Sequence, residues 1–321
     1  MKIKKPFRYF GGKNYLIGDI ISLVNYAYKN LRISCLIDVF GGSGTVLFSI
    51  PENWKINLIY NDLDNFLYNV FKVLQDDDLR QKLIEKWKYL LTYDVVYKEF
   101  RDELFRSEDF DFHVPDIEVA LKWLYLNIYG QSGIVSKSAT MPLMYVYRIR
   151  KPNFDNDVIK KLKQWQITNK DYRDLIRNAN REYVFLYLDP PYLQGGSNYN
   201  KGGWDIDDFK ELKTHLDNFK GYWLLNESSI ESIQKIFGKP LFVKSYINSS
   251  HVITYDTIKN SKNKRNIRKE GFWTNFKIPD ELLQQILNDQ LRISTKEILQ
   301  NNNLKIFIRL KPIGGENRGR G

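Results

Sequence analysis

The chain has 321 residues, 43% of them hydrophobic, 15% aromatic and 27% charged, which excludes wholesale disorder and a small stapled scaffold and fits a large α/β domain with an added module. A single cysteine, Cys35, excludes an internal disulfide and a thiolate zinc site; no apolar run approaches the roughly 18 residues of a membrane span, and Met1 to Pro6 lacks a signal-peptide core, so a cytoplasmic protein without a membrane partner is expected. The 49 Lys and Arg outnumber the 38 Asp and Glu for a net charge of +11, which favours a polyanionic partner.

Ser34 to Phe40 is a short apolar run of β-type residues that stops at Gly41-Gly42-Ser43-Gly44 and resumes as Thr45-Val46-Leu47-Phe48, the pattern of strand, glycine turn and helix. A second strand, Ile56 to Tyr60, ends at Asn61-Asp62 and leads into an amphipathic helix carrying Phe66, Leu67, Val70, Phe71 and Leu74. Strands alternating with helices imply a parallel sheet covered on both faces. From about Asp76 the apolar spacing turns helical, across 79–107 and 117–129, and Met144 to Arg150 then alternates like an exposed strand. Residues 76–164 are therefore expected to form an inserted, mainly helical domain with a hairpin or extended loop. The α/β pattern returns at Tyr183 to Leu188, before Asp189-Pro190-Pro191-Tyr192, and continues with a Gly-rich stretch at 194–203, a helix from about Asp207 and a strand at 221–226. A closing antiparallel pair is expected at 241–247 and 271–277, separated by a basic loop at 259–269. Residues 1–75 and 165–278 thus read as one discontinuous α/β domain. Residues 279–321 read as a C-terminal extension: two helices, a strand-like 305–310 and a disordered Gly/Arg tail.

Asp189-Pro190-Pro191-Tyr192 stands at the carboxyl end of a strongly apolar strand, where α/β sheets bind ligands. Two prolines remove two amide donors and turn their carbonyls outward, so a carboxylate and a carbonyl converge. Such a pair accepts both hydrogens of an exocyclic amine, and Tyr192 offers a ring to stack on a base. Taken alone, the tetrapeptide also fits a loop with an Asp cap and a Pro-Pro stop. Asp38-Val39-Phe40-Gly41-Gly42-Ser43-Gly44-Thr45 is a glycine turn opening a helix, and Asp62 follows Gly44 by 18 residues at a strand end, where an acid can hold ribose hydroxyls. A nucleoside-type cofactor fits both features, although an ordinary βα turn and an acidic cap fit each one singly. Phe7 to Lys13 adds a Gly-Gly turn beside a lysine.

Together these segments resemble the Dam-like family of adenine-specific DNA methyltransferases, in the motif order of its α group. The aromatic-x-G-G-K motif corresponds to Tyr9 to Lys13, the acidic-x-F-x-G-S-G motif to Asp38 to Gly44, the post-strand N-D to Asn61-Asp62, and DPPY to Asp189 to Tyr192. Leu124 to Gly130 is similar to the family's insertion signature and Phe272 to Phe276 to its closing strand. The resemblance implies a Rossmann-like S-adenosylmethionine-dependent methyltransferase sheet with an inserted target-recognition domain, in a prokaryotic or prokaryotic-virus setting; whether a cognate restriction endonuclease is a further partner is left open by the sequence. It implies a cofactor site lined by Tyr9, Gly11, Lys13, Asp38, Phe40, Gly41, Ser43, Gly44, Thr45, Asp62, Asp171, Tyr172 and Asp189. Asp189, Pro190 and Tyr192 would carry catalysis.

The exocyclic amine of adenine is a poor nucleophile inside a duplex, so the base must be flipped out to meet Asp189 and the Pro190 carbonyl. Neither a metal nor a covalent intermediate is needed. Carbon methylation of cytosine requires a thiolate, and Cys35 precedes the first glycine turn on an expected buried strand. Methylation of the cytosine exocyclic amine and a catalytically silent DNA-binding relative remain as alternatives. For contact with double-stranded DNA the candidates are Arg8, the insertion residues Gln131, Ser132, Lys137, Arg148 and Arg150, and Lys264, Arg265, Arg268 and Lys269 on the basic loop. Trp123, Trp165, Trp204 and Trp223 read as core.

Overall fold

The structure, a computed structural model, describes residues 4–7, 13, 15–106, 111–142, 150–193, 204–228, 230–247 and 267–288, those at 132, 245–247, 267 and 268 by backbone alone. It divides into one unit spanning Met1–Lys277 and a second spanning Ile278–Gly321, in which a helical run covers 280–288.

Seven strands among the described residues make one sheet: β1 (Cys35–Asp38), β2 (Asn57–Asn61), β3 (Trp165–Thr168), β4 (Val184–Leu188), β5 (Tyr222–Glu227), β6 (Phe242–Ile247) and β7 (Ile267–Thr274). Their order is β3-β2-β1-β4-β5-β7-β6. All neighbours from β3 to β5 pair parallel, and β7 enters antiparallel between β5 and β6. Every residue of β1 and β4 is buried, as a central parallel strand covered on both faces requires. The sheet order reverses at β1, whose successor β2 lies on one side and β4 on the other, so a crevice opens at their carboxyl ends. Asp38 pairs with Tyr187 there, which brings Asp189 out just beyond the same edge.

The helices of this unit are α1 (Ile17–Asn30), α2 (Thr45–Ser49), α3 (Asn65–Gln75), α4 (Asp77–Lys88), α5 (Asp94–Arg106), α6 (Ile117–Tyr129), α7 (Asn156–Leu162), α8 (Tyr172–Asn178), α9 (Ile206–Asp217) and α10 (Ile230–Phe237). One face of the sheet packs on α8, α9 and α10 through Leu175, Leu212, Leu216 and Ile233. The helical insertion is built around α6, buried from Val119 to Leu126 except at Lys122 and so apolar on nearly all sides. Asp116 caps it by accepting from the amides of Glu118 and Val119. The same residue's backbone exchanges hydrogen bonds with the Asn69 amide on α3, which fastens the insertion to the sheet layer.

Two elements depart from the sequence reading. β3 is absent from it, because Trp165-Gln166-Ile167-Thr168 is only four residues long and sits at the sheet edge with Gln166 exposed. β7 begins at Ile267, so Arg268 and Lys269 belong to a strand and not to a basic loop; their pairing with Tyr246 and Ser245 extends the ladder to Ile267. At the other end it stops at Thr274, where the Asn275 side chain accepts from the Trp223 amide and donates to the Gly221 carbonyl. Cys35 lies in β1, where burial pushes its thiol up to about 11, the wrong direction for a thiolate nucleophile.

Candidate active site

The glycine turn after β1 is shaped by its own neighbours. A Cβ on Gly41 would fall 2.3 Å from the Tyr60 ring, and Gly44 combines φ +66° with 2.6 Å to Trp165. Both glycines are therefore required by packing, and the turn they permit holds the Gly42 amide 2.8 Å from Asp62 Oδ2. Asp62 Oδ1 accepts from the Asp64 amide at 2.9 Å, and Asp64, not Asp62, caps α3. Its neighbour Asn61 is buried and ties three strand ends together: it donates to the carbonyls of Val39 and Lys170 and accepts from Thr168 Oγ1 and the Lys170 amide. The edge of the crevice is thus pre-formed by β1, β2 and β3.

Asp38 projects into this crevice fully buried, and its Oδ1 has no hydrogen-bond partner among the described residues. Burial first, and then the charges of Asp189 and Asp62, raise its carboxyl well above the ordinary carboxylate range. Ser43 and Thr45 are buried and hydrogen-bonded to each other, and both accept from the Lys5 ammonium at 2.9 Å. Lys5 was not among the residues singled out by sequence, since it precedes the first recognisable motif. Phe40 packs edge-on against Trp204 at 5.2 Å and near Tyr172 at 5.9 Å. Trp204, expected as core, is only half-buried and joins these two rings beside the crevice. Asp171 caps α8 through the Arg173 amide and pairs with the Arg173 guanidinium.

Across the crevice, Asp189, the buried Pro190 and the half-buried Tyr192 follow β4. The Asp189 side chain is 19% exposed and its Oδ1 lies 3.1 Å from Lys13 Nζ. Burial pushes its carboxyl up to about 6, against the pull of Lys13 and with the help of Glu270. Although burial acts to lower it, the Lys13 ammonium is raised well above its usual value by Asp189 and Glu270. Lys13 also contacts the Tyr192 hydroxyl and sits 4.5 Å from the centre of that ring. Glu270, on β7 and fully buried, receives Lys13 at 3.4 Å, the Tyr192 hydroxyl at 2.9 Å and the Tyr15 hydroxyl at 3.3 Å. Sequence reasoning passed over Glu270; its signal was a lone acid in a basic stretch, in phase with Phe272 and Thr274.

The structure therefore brings Lys13, Asp38, Phe40, Ser43, Asp62, Tyr172, Asp189 and Tyr192 to one end of the sheet. It sets Gln131, Lys137 and Arg150 apart in the insertion: Gln131 and Lys137 are exposed, and the Arg150 backbone is held by the Tyr129 hydroxyl and Trp87 Nε1. Lys269 is exposed on β7. Arg8, Tyr9, Gly11, Arg148, Lys264 and Arg265 lie outside the described residues, as do the side chains of Ser132 and Arg268.

A seven-stranded sheet with an antiparallel β7, a glycine turn after β1 and an Asp-Pro-Pro-Tyr loop after β4 define a Rossmann-like methyltransferase. Residues 9–267 match the family model of the D12 class N6 adenine-specific DNA methyltransferases, and the chain belongs to that family, whose substrate is DNA. Among curated proteins it is 26% identical over 227 residues to the type II methyltransferase M.MjaIII of Methanocaldococcus jannaschii, covering 65% of this chain and 77% of that one. It is 25% identical over 243 residues to the modification methylase StsI of Streptococcus sanguinis, covering 71% of this chain but only 34% of that larger protein. Among solved structures, SMU.776 in its complex with SAH aligns over 80% of this chain and 49% of its own at 11% identity and a TM-score of 0.30. No described helix is long and apolar enough to cross a membrane.

Proposed function

We propose that this chain transfers a methyl group from S-adenosylmethionine to the N6 amine of an adenine flipped out of duplex DNA at a specific sequence. The observation that carries this reading is Asp189: a carboxylate with one oxygen on Lys13 and a partly exposed side chain, at the carboxyl end of β4 and beside a tyrosine ring. Asp38 and the glycine turn suit the cofactor, because a buried carboxylate oxygen without a partner among the described residues is the complement of an ammonium group such as that of a methionine moiety. Asp62 suits the ribose hydroxyls, and the rings of Phe40 and Tyr172 suit the flat face of its adenine. Bound there, S-adenosylmethionine supplies a methyl group on a positively charged sulfur.

Asp189 and the Pro190 carbonyl then accept the two amine hydrogens, which concentrates electron density on the nitrogen and orients it for in-line attack. Tyr192 stacks on the extruded base. The nitrogen becomes acidic once it has gained the methyl group, so no base need deprotonate it beforehand. The insertion at 76–164, with Gln131, Lys137 and Arg150, faces DNA as the target-recognition region, and a partner endonuclease with the same target is in keeping with relatives named as type II and modification methylases. A cytoplasmic setting follows from that pairing. Incubation with unmethylated genomic DNA and labelled S-adenosylmethionine, followed by sequencing of modified bases, should yield N6-methyladenine at one sequence. N4-methylcytosine, or no incorporation, would overturn the reading.

A further inference from the structure

Glu270 is a fully buried carboxylate beside the site, and it lies on a strand that the transfer chemistry described above does not use. Burying a carboxylate is tolerated only when charged or hydrogen-bonded groups satisfy it. Its partners are Lys13 and Tyr15 from the segment leading into α1 and Tyr192 from the loop after β4. Asp189 and Tyr187 approach from the β4 side, and Tyr187 keeps a buried hydroxyl with no partner among the described residues. Across the ladder, Lys244 on β6 pairs in register with Glu270, but its ammonium goes to Asp19 on α1. The surroundings of Glu270 are thus drawn from the Asp-Pro-Pro-Tyr loop and the segment before α1 more than from the strand it sits on.

We propose that Glu270 is a positioning residue of the transfer site: it anchors the Tyr192 hydroxyl and shares the Lys13 ammonium with Asp189, so the stacking ring is set before a base arrives and Asp189 keeps an oxygen open for the amine. The proposal rests on the reading of Asp189 and Tyr192 given above. The geometry supports both halves. Lys13 Nζ stands 3.1 Å from Asp189 and 3.4 Å from Glu270, an ammonium divided between two carboxylates and not committed to one. The Tyr192 hydroxyl is held by two groups, the Lys13 ammonium and the Glu270 carboxylate. Removing the Glu270 charge should release Lys13 wholly to Asp189 and lower the carboxyl of Asp189, since Glu270 raises it and Lys13 opposes that rise.

The test compares Glu270→Gln, Tyr192→Phe, their double variant and Asp189→Ala, with unmethylated plasmid DNA and tritium-labelled S-adenosylmethionine as probes. Calorimetric cofactor binding and a thermal melt establish that each variant is folded. For Glu270→Gln the expected result is a kcat lower by about tenfold or more, the value of a charged hydrogen bond. The acid limb of its pH–rate profile should move to lower pH by on the order of one unit. For Tyr192→Phe, KM for DNA should rise several-fold with the acid limb in place, and the double variant should lose less than the product of the two single losses. A melting temperature that falls while kcat, KM and the acid limb stay at wild type would make Glu270 a purely structural residue and overturn the proposal. Should Glu270→Gln not fold, wild-type kinetics in Tyr192→Phe overturn it equally. An inactive Asp189→Ala beside a normal Glu270→Gln sinks this proposal alone, whereas an active Asp189→Ala sinks the underlying reading with it.

Discussion

On the proposed mechanism Asp189 must satisfy two opposing demands, staying ionised to accept amine hydrogens while sitting where burial favours its neutral form. Lys13 resolves the conflict only in part, which leaves the carboxyl at about 6. The reactive form is the carboxylate, so activity is expected to rise as pH increases through that value and to fall away below it; a kcat profile flat between pH 5 and 7 would contradict the assignment. Asp189→Ala should lower kcat on the order of a hundredfold or more with DNA binding largely retained, as single-turnover rates beside anisotropy titrations will show. Asp62 differs, because its carboxylate already holds the Gly42 amide. Asp62→Ala should therefore weaken S-adenosylmethionine binding and also lower the melting temperature, a pairing that distinguishes a shared role from mere support of the glycine turn. At this scale the sequence was readable wherever chemistry is packed into a short motif, as in Asp189 to Tyr192 or Asp38 to Gly44. Glu270 was not readable, since it meets Lys13 across 257 positions of chain and its burial exists only after both ends have folded.

Elements show the same division between local and distant causes. Strands β1, β2, β4 and β5 announce themselves as apolar runs bounded by turns, whereas β3 is identified only by its partners, Trp165 stacking over Tyr60 at 6.0 Å and packing on Phe48 at 4.4 Å. That indole also occupies the space a Cβ on Gly44 would need. Gly44→Ala is expected to cost roughly 1–2 kcal/mol for the left-handed conformation alone, with more from the clash, and to weaken the cofactor site. Denaturant unfolding and calorimetry measure both effects, and an unchanged midpoint would mean that the turn relaxes freely. On the far side of the sheet the buried pair of Asp19 and Lys244 joins α1 to β6. Lys244→Met alone should destabilise by about 3–5 kcal/mol, while Asp19→Leu together with Lys244→Met should return most of that loss, because the stranded charge is then gone. A double variant as unstable as the single would show that geometry, not charge, is at stake.

For the whole molecule, composition and alternation sufficed for a two-sided α/β sheet with a helical insertion, and the net charge of +11 suits a DNA-directed enzyme. What composition misplaced is where the charge sits: of the quartet Lys264, Arg265, Arg268 and Lys269, the last two belong to β7. Replacing all four by Gln is expected to weaken binding to every duplex alike and to flatten the log–log salt dependence by roughly 0.9 for each phosphate no longer neutralised. Anisotropy titrations across a salt series decide this. An unaltered slope would move the phosphate-binding role to the insertion, where Lys137 is exposed.

The meeting of Lys13, Asp189, Tyr192 and Glu270 has a consequence for biosynthesis. Lys13 and Glu270 stand 257 positions apart in the chain, so no nascent fragment ending before residue 270 holds a complete set. On the proposed reading, a ribosome-bound chain should stay inert toward DNA until β7 has slotted between β5 and β6, a long-range pairing of the kind that closes late. For the same reason, two separately expressed pieces divided between β6 and β7 should each be silent and regain methyl transfer only on reassociation.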